Sequence, residues 1–240
     1  MSSDSYKTQT YLLVGLVILL TCSLPLIGNG AGAFTLFPSL SQTINRHVVY
    51  QTVTLLITLG FLWLLRHVRP LVFSEYFRKG DIAAPFKPVP ALMMRPKAGQ
   101  NWKQEGRDLA IVISAVTAVI IYFQVSFDQS MKVARLWSIL PFSLLFAMTN
   151  AFIEECITRL GVVVALKGVI GDKALPSISA IIFGIVHYWG SPGGIAGMLA
   201  AGFLGWLLAK SILETKGIFW AWLIHFLQDV IILTALFWTD

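Results

Sequence analysis

Apolar residues run in long blocks along this chain, separated by short polar or proline-containing stretches. Seven blocks stand out, at 11–27, 48–65, 109–125, 137–167, 175–189, 193–210 and 217–238. A helix needs about 20 apolar residues to cross the hydrocarbon of a bilayer, so each block predicts one crossing. The expected fold is all-α, a polytopic transmembrane helical bundle of about seven spans. The fourth block is too long for one straight crossing and predicts a helix that tilts, protrudes or breaks. The fifth is short and opens at Pro176, a residue suited to a helix start. The first follows Lys7 and could pass for a secretion signal. It reads as a retained anchor, because no small-residue cleavage site follows it and more spans do.

Between the blocks, the longest polar connection, 67–106, contains Pro70, Pro85, Pro88, Pro90 and Pro96 and is not expected to form a long regular helix. It reads as a solvated connector, with FRKGD and the later Lys and Arg as candidate contacts for anionic lipid headgroups. In the sixth block, Gly193, Gly197, Ala201 and Gly205 recur every four residues, a spacing that lets helices approach closely. Composition agrees with the pattern: 56% of the 240 residues are hydrophobic and 12% charged, and the mean hydropathy is +0.74. One integral domain, 1–240, is therefore expected, with N-terminal spans and the basic loop in 1–135 and a helical core in 136–240. Cys22 and Cys156 lie in different apolar blocks without metal-type spacing.

Charge then orients the chain. If the blocks alternate in direction, Lys7, the nine Lys and Arg of 66–107, Lys167, Lys173, Lys210 and Lys216 share one side, fourteen in all, against Arg46, Lys132 and Arg135 on the other. The positive-inside rule puts the N-terminus in the cytoplasm and the C-terminus on the opposite side of a cell's inner or plasma membrane. The partner expected for the net charge of +6 is a lipid bilayer and not a nucleic acid.

Six ionisable residues interrupt the later blocks: Glu154, Glu155 and Arg159 in NAFIEECITRLG, His187 in FGIVHYWG, and His225 and Asp229 in LIHFLQD. Each costs about 2.5–3.5 kcal/mol on insertion scales. Glu155 and Arg159, four apart with the acid first, predict an ion pair on one helix face. Glu154 is turned about 100° away and is left over as a carboxylate free for chemistry. His225 and Asp229, also four apart, face the same way. Counted at about 1.5 Å per residue from the cytoplasmic ends, Glu154, His187, His225 and Asp229 fall at similar depth on three spans and can meet. That set suffices for amide hydrolysis, with Glu154 as general base on a water and the histidines serving proton transfer and the oxyanion. A zinc site is the rival within enzymology, although H-E-x-x-H is missing. A proton-coupled transporter or a membrane scaffold is the rival outside it. His47 and His67, at span ends, read as interfacial.

EECITR fits E-E-x-x-x-R, FGIVH fits F-x-x-x-H and HFLQD fits H-x-x-x-(N or D), in that order and on three separate spans. Together they resemble the CPBP family of glutamic intramembrane proteases, which includes CAAX prenyl endopeptidases and Abi proteins, over roughly Leu136 to Asp240. The resemblance implies a helical bundle with a polar intramembrane cavity, a protease-like core in 136–240, a site that needs no metal or other cofactor, and a membrane-associated protein or peptide substrate. Position by position, it implies that Glu154 activates water with help from His187, that His225 and Asp229 stabilise the oxyanion, and that Glu155, Arg159 and Phe183 support them. Position 229 is Asp where the better-known prenyl-protein members have Asn. An ionised Asp229 cannot donate to an oxyanion, so it would act protonated or through His225. The first three blocks carry no motif of the family.

Overall fold

The computed structural model describes residues 3–124, 133–190 and 193–240. It is helical throughout: α1 (Ser3–Ala31), α2 (Gln42–Val68), α3 (Pro70–Tyr76), α4 (Trp102–Gln124), α5 (Val133–Glu154), a π-helical segment (Glu155–Leu160), α6 (Gly161–Leu166), α7 (Leu175–Val186), α8 (Gly194–Thr215) and α9 (Phe219–Trp238). Among the described residues, six helical runs are long and apolar enough to cross a bilayer, and 175–189 forms a shorter apolar helix. The polytopic bundle expected from the blocks is thus present. Lys132 and the end of the third block at Val125 lie outside the described residues.

The long fourth block does not end midway. It continues from α5 to α6 as one helical run of 32 residues, Arg135–Leu166, with a π-helical turn inside it. This run is the axis of the core. Ile153, Cys156, Ile157, Leu160 and Val163 are fully buried, packed against Val17 of α1, Leu65 of α2, Ile212 of α8 and Ile224 of α9. The outer faces, with Leu12, Leu56, Trp63, Val119, Phe123, Trp137 and Leu199 exposed, present the apolar surface that a bilayer solvates.

α7 is short, and its twelve residues rise only about 18 Å. It lies against α8 through glycines: a Cβ on Gly184 would come 2.9 Å from the Met198 carbonyl oxygen, and one on Gly205 3.3 Å from Phe183 Cβ. Of the four-residue series, Gly205 therefore serves packing, whereas Gly197 and Ala201 line a cavity described below.

The connection 67–106 departs from a solvated strand of chain. Ala84, Phe86 and Trp102 are buried with Leu207 and Trp220. Its backbone pairs with the turn joining α8 to α9, Asp81 N–H to Thr215 O at 2.7 Å and Ile218 N–H to Arg78 O at 2.9 Å. Gly80, at φ 78°, is needed there, since a Cβ would meet the Thr215 carbonyl at 2.5 Å. Beneath the loop, Lys210 and Glu214 form a buried ion pair at 2.7 Å, and Glu214 also accepts from Trp102 Nε1 (2.8 Å) and the Lys87 amide (3.2 Å). The scattered apolar residues among the charges explain the difference, because they clamp the ends of α8 and α9 and so fix the helix that carries His225 and Asp229. At the same turn Lys216 bonds Glu75 at 2.8 Å, and that hydrogen bond raises the ammonium's pKa.

Candidate active site

The first motif sits where the central run changes from α to π. Thr158 Oγ1 donates to the Glu154 carbonyl at 2.6 Å, and Arg159 Nη1 donates to Thr158 Oγ1 at 2.6 Å. The expected ion pair forms, with Arg159 Nη1 3.3 Å from Glu155 Oε1 and both side chains buried. The guanidinium lies flat on Phe183, its Cζ 3.5 Å from the ring centroid, a contact that offsets part of its desolvation.

His225, on α9, meets both acidic residues. Its Nδ1 donates to Glu155 Oε1 at 2.7 Å, while its Nε2 stands 3.7 Å from Glu154 Oε2 and 3.6 Å from Asp229 Oδ1. The latter two distances exceed a direct hydrogen bond. The orienting carboxylate is therefore Glu155, on another helix, and not the Asp229 that shares the helix face of His225. Glu154 and Glu155 approach opposite edges of one imidazole, Glu154 from the cavity and Glu155 from the buried side.

Asn150, one turn before Glu154, ties the acids together. Its Nδ2 donates to Glu154 Oε1 (3.1 Å) and to Asp229 Oδ2 (3.0 Å), and its Oδ1 accepts from Gln51 Nε2 of α2 (3.2 Å). His187 closes α7 in a 3-10 turn, with its Nδ1 2.8 Å from the Phe183 carbonyl and its ring 4.1 Å from the Phe183 ring. A carbonyl only accepts, so Nδ1 carries the hydrogen and Nε2 of the neutral ring is free to accept.

These groups open onto a cavity of about 520 Å³ between α2, α4, α5, α7, α8 and α9. Glu154, His187, His225 and Asp229 all line it, beside Asn150, Gln51 and Tyr50. Its other wall is apolar, with Val112, Val116 and Ile120 of α4 facing Ala200, Phe203 and Leu204 of α8. Glu155 and Arg159 are not among its lining residues and sit fully buried behind it. His47, expected at the interface, also lines the cavity and packs on Phe146 and Phe237, whereas His67 is exposed and bonds the Trp63 carbonyl. Sequence reasoning passed over Asn150, Gln51 and Tyr50. For Asn150 a signal existed, a polar residue four positions before Glu154 inside an apolar block.

Among the described residues no group of three His, Cys, Asp or Glu side chains is arranged to hold a metal ion. Compared with family models, residues 135–231 match the type II CAAX prenyl endopeptidase Rce1-like family. No curated protein and no solved structure matches the chain.

Proposed function

We propose, for a chain whose residues 135–231 match the type II CAAX prenyl endopeptidase Rce1-like family, that it is an intramembrane endopeptidase in which hydrolysis follows a glutamic mechanism centred on Glu154. The observation that carries this reading is the meeting, in one cavity within an apolar bundle, of a carboxylate whose hydrogen-bond donor is a neutral amide and two oriented imidazoles. Glu154 takes a proton from a water, and the resulting hydroxide attacks the carbonyl carbon of the scissile bond. His225 in its imidazolium form donates from both nitrogens, Nδ1 to Glu155 and Nε2 to the oxyanion, in an apolar setting where such a bond is worth most. Asp229, held by Asn150, keeps its carboxyl beside that Nε2. The proton then passes from Glu154, with His187 Nε2 as the relay, to the leaving nitrogen. The C–N bond breaks, and one water has become part of a new carboxylate and a new amine.

The substrate is a membrane-associated protein or peptide, and a peptide with a prenylated C-terminal CAAX sequence is the first to try. Residues 136–240 act as the catalytic core, and 1–135 complete the cavity wall through Tyr50, Gln51 and α4. The N-terminus and the loop 66–107 face the cytoplasm. Every Lys and Arg of that loop except Arg69 is exposed, which supports a contact with anionic headgroups.

The test is cleavage of a farnesylated, fluorophore-quencher CAAX peptide by purified protein in lipid nanodiscs. Glu154→Gln is expected to abolish cleavage and a strong chelator to leave it intact. Full activity in Glu154→Gln rejects the mechanism, and loss of activity with chelator, restored by zinc, favours a metallopeptidase.

A further inference from the structure

A second, smaller cavity of about 150 Å³ lies on the α1 side of Glu154, with Thr21, Leu24 and Pro25 of α1 in its wall. Among the described residues, Tyr50, Glu154, Phe183, His187 and Gly190 line both cavities. They form a partition, and the proposed base and proton relay stand in it.

Hydrolysis makes a demand that this arrangement meets. A peptide filling the large cavity, with its apolar walls on α4 and α8, displaces water from that side of Glu154, yet each turnover consumes one water at that carboxylate. The small cavity reaches the same carboxylate from the other side. At about 30 Å³ for each molecule it has room for roughly five waters.

Water needs polar partners there as well as space. Pro25 lies inside α1 and has no N–H, so the Thr21 carbonyl is deprived of its α-helical donor. Thr21 Oγ1 donates to the Val17 carbonyl at 2.7 Å, which leaves the lone pairs of that hydroxyl available. Thr21 is nearly buried, 1% exposed, and lies in the wall of the small cavity. Together with the Glu154 carboxylate and the free Nε2 of His187, these atoms are acceptors on residues that line one cavity.

We propose that the small cavity is a water port, holding the nucleophilic water and delivering it to Glu154 while peptide occupies the large cavity, with Thr21 and Pro25 as positioning residues. The inference rests on the glutamic mechanism above, and the experiment separates the two. In the farnesylated-peptide assay, Leu24→Trp fills the port, Pro25→Ala returns an N–H to the Thr21 carbonyl, and Thr21→Val removes the hydroxyl at nearly constant shape. Each is expected to lower kcat about tenfold, the scale of one lost hydrogen bond, with KM within about twofold. Thr21→Ser is expected to keep kcat, and Val116→Phe, in the large cavity, to raise KM instead. Thermal melts identify any variant that fails to fold, and the near-isosteric Thr21→Val and Thr21→Ser pair decides the matter if the larger changes do. Unchanged kcat in Thr21→Val and Pro25→Ala overturns the port. A raised KM with unchanged kcat in Leu24→Trp also overturns it, and makes the cavity a subsite for a substrate side chain. Glu154→Gln run in parallel reports on the mechanism itself: if that variant still cleaves, the hydrolytic reading fails whatever the port variants do.

Discussion

Replacing Glu155 by Gln removes the charge that faces Arg159 and His225 Nδ1 while keeping an acceptor for the imidazole. The ion pair with Arg159 is separated by 3.3 Å with both side chains essentially inaccessible, which at an effective dielectric constant of about 20 corresponds to roughly 5 kcal/mol of attraction. Removing one member of such a pair leaves the other charged and buried, at a cost of about 3–5 kcal/mol. The Phe183 face beneath Arg159 remains in the variant, so the lower part of that range, about 3 kcal/mol, is expected. The double variant Glu155→Gln with Arg159→Met removes both charges and should recover more than about 1 kcal/mol of the loss. Equilibrium unfolding in mixed micelles, followed by the fluorescence of the eight tryptophans, measures both. A loss below about 1 kcal/mol for the single variant, or a double variant no more stable than the single, would refute the assignment of this pair as the charge balance of the core. The amide oxygen of Gln can still accept from His225 Nδ1, so Glu155→Leu, which cannot, should lower kcat further than Glu155→Gln at similar stability.

Other substitutions probe the remaining supports. Asn150→Leu removes the amide between Glu154 and Asp229 and is expected to lower kcat by at least about tenfold with folding retained; unchanged kcat would show that the bridge is dispensable. Gly184→Ala forces a Cβ to within 2.9 Å of the Met198 carbonyl and should destabilise the protein by about 1–3 kcal/mol while displacing His187, read as a lower melting temperature and a lower kcat together. Glu214→Leu leaves the buried Lys210 charge, Trp102 Nε1 and the Lys87 amide without their acceptor, whereas Lys210→Met strips one hydrogen-bond partner from Glu214 and a cation from the Phe86 ring. The first should therefore unfold at clearly lower denaturant in the same micelle titration. Deleting Cys156 from the π-helical turn should abolish cleavage, whereas Cys156→Ala should retain it; an active deletion would show that the wide turn is not needed.

The later spans were legible because intramembrane charge is costly enough to mark itself. Spacing of four joined Glu155 to Arg159, and depth counting brought Glu154, His187, His225 and Asp229 to one level, where they line one cavity. Spacing could not tell which carboxylate orients His225. Asp229 shares its helix face, but the imidazole turns its Nδ1 toward Glu155 across the bundle, and only packing between helices decides that. Gln51 and Tyr50 were hidden for a related reason, since a single neutral polar residue in an apolar block costs little and says nothing about what it faces. The clamp of Phe86 and Trp102 over the α8–α9 turn depends on contacts between residues more than one hundred positions apart, which prolines and charges in the connecting loop conceal.

The π-helical segment explains how two adjacent acids come to have different roles. In a regular α-helix neighbours point about 100° apart, and one of the two would face away from α9. A wider, π-helical turn begins at Glu155, and both acids reach the same imidazole, at different nitrogens. Such turns are uncommon and recur at functional sites. Glu155 is held between Arg159 and His225 Nδ1 with no exposed surface. Glu154 has a neutral amide as its hydrogen-bond donor and keeps 14% of its side chain exposed, opening onto both cavities. The proposed assignment of Glu154 as the base rests on that difference: of the two carboxylates, it is the one that opens onto the cavities and has no hydrogen bond from a cation.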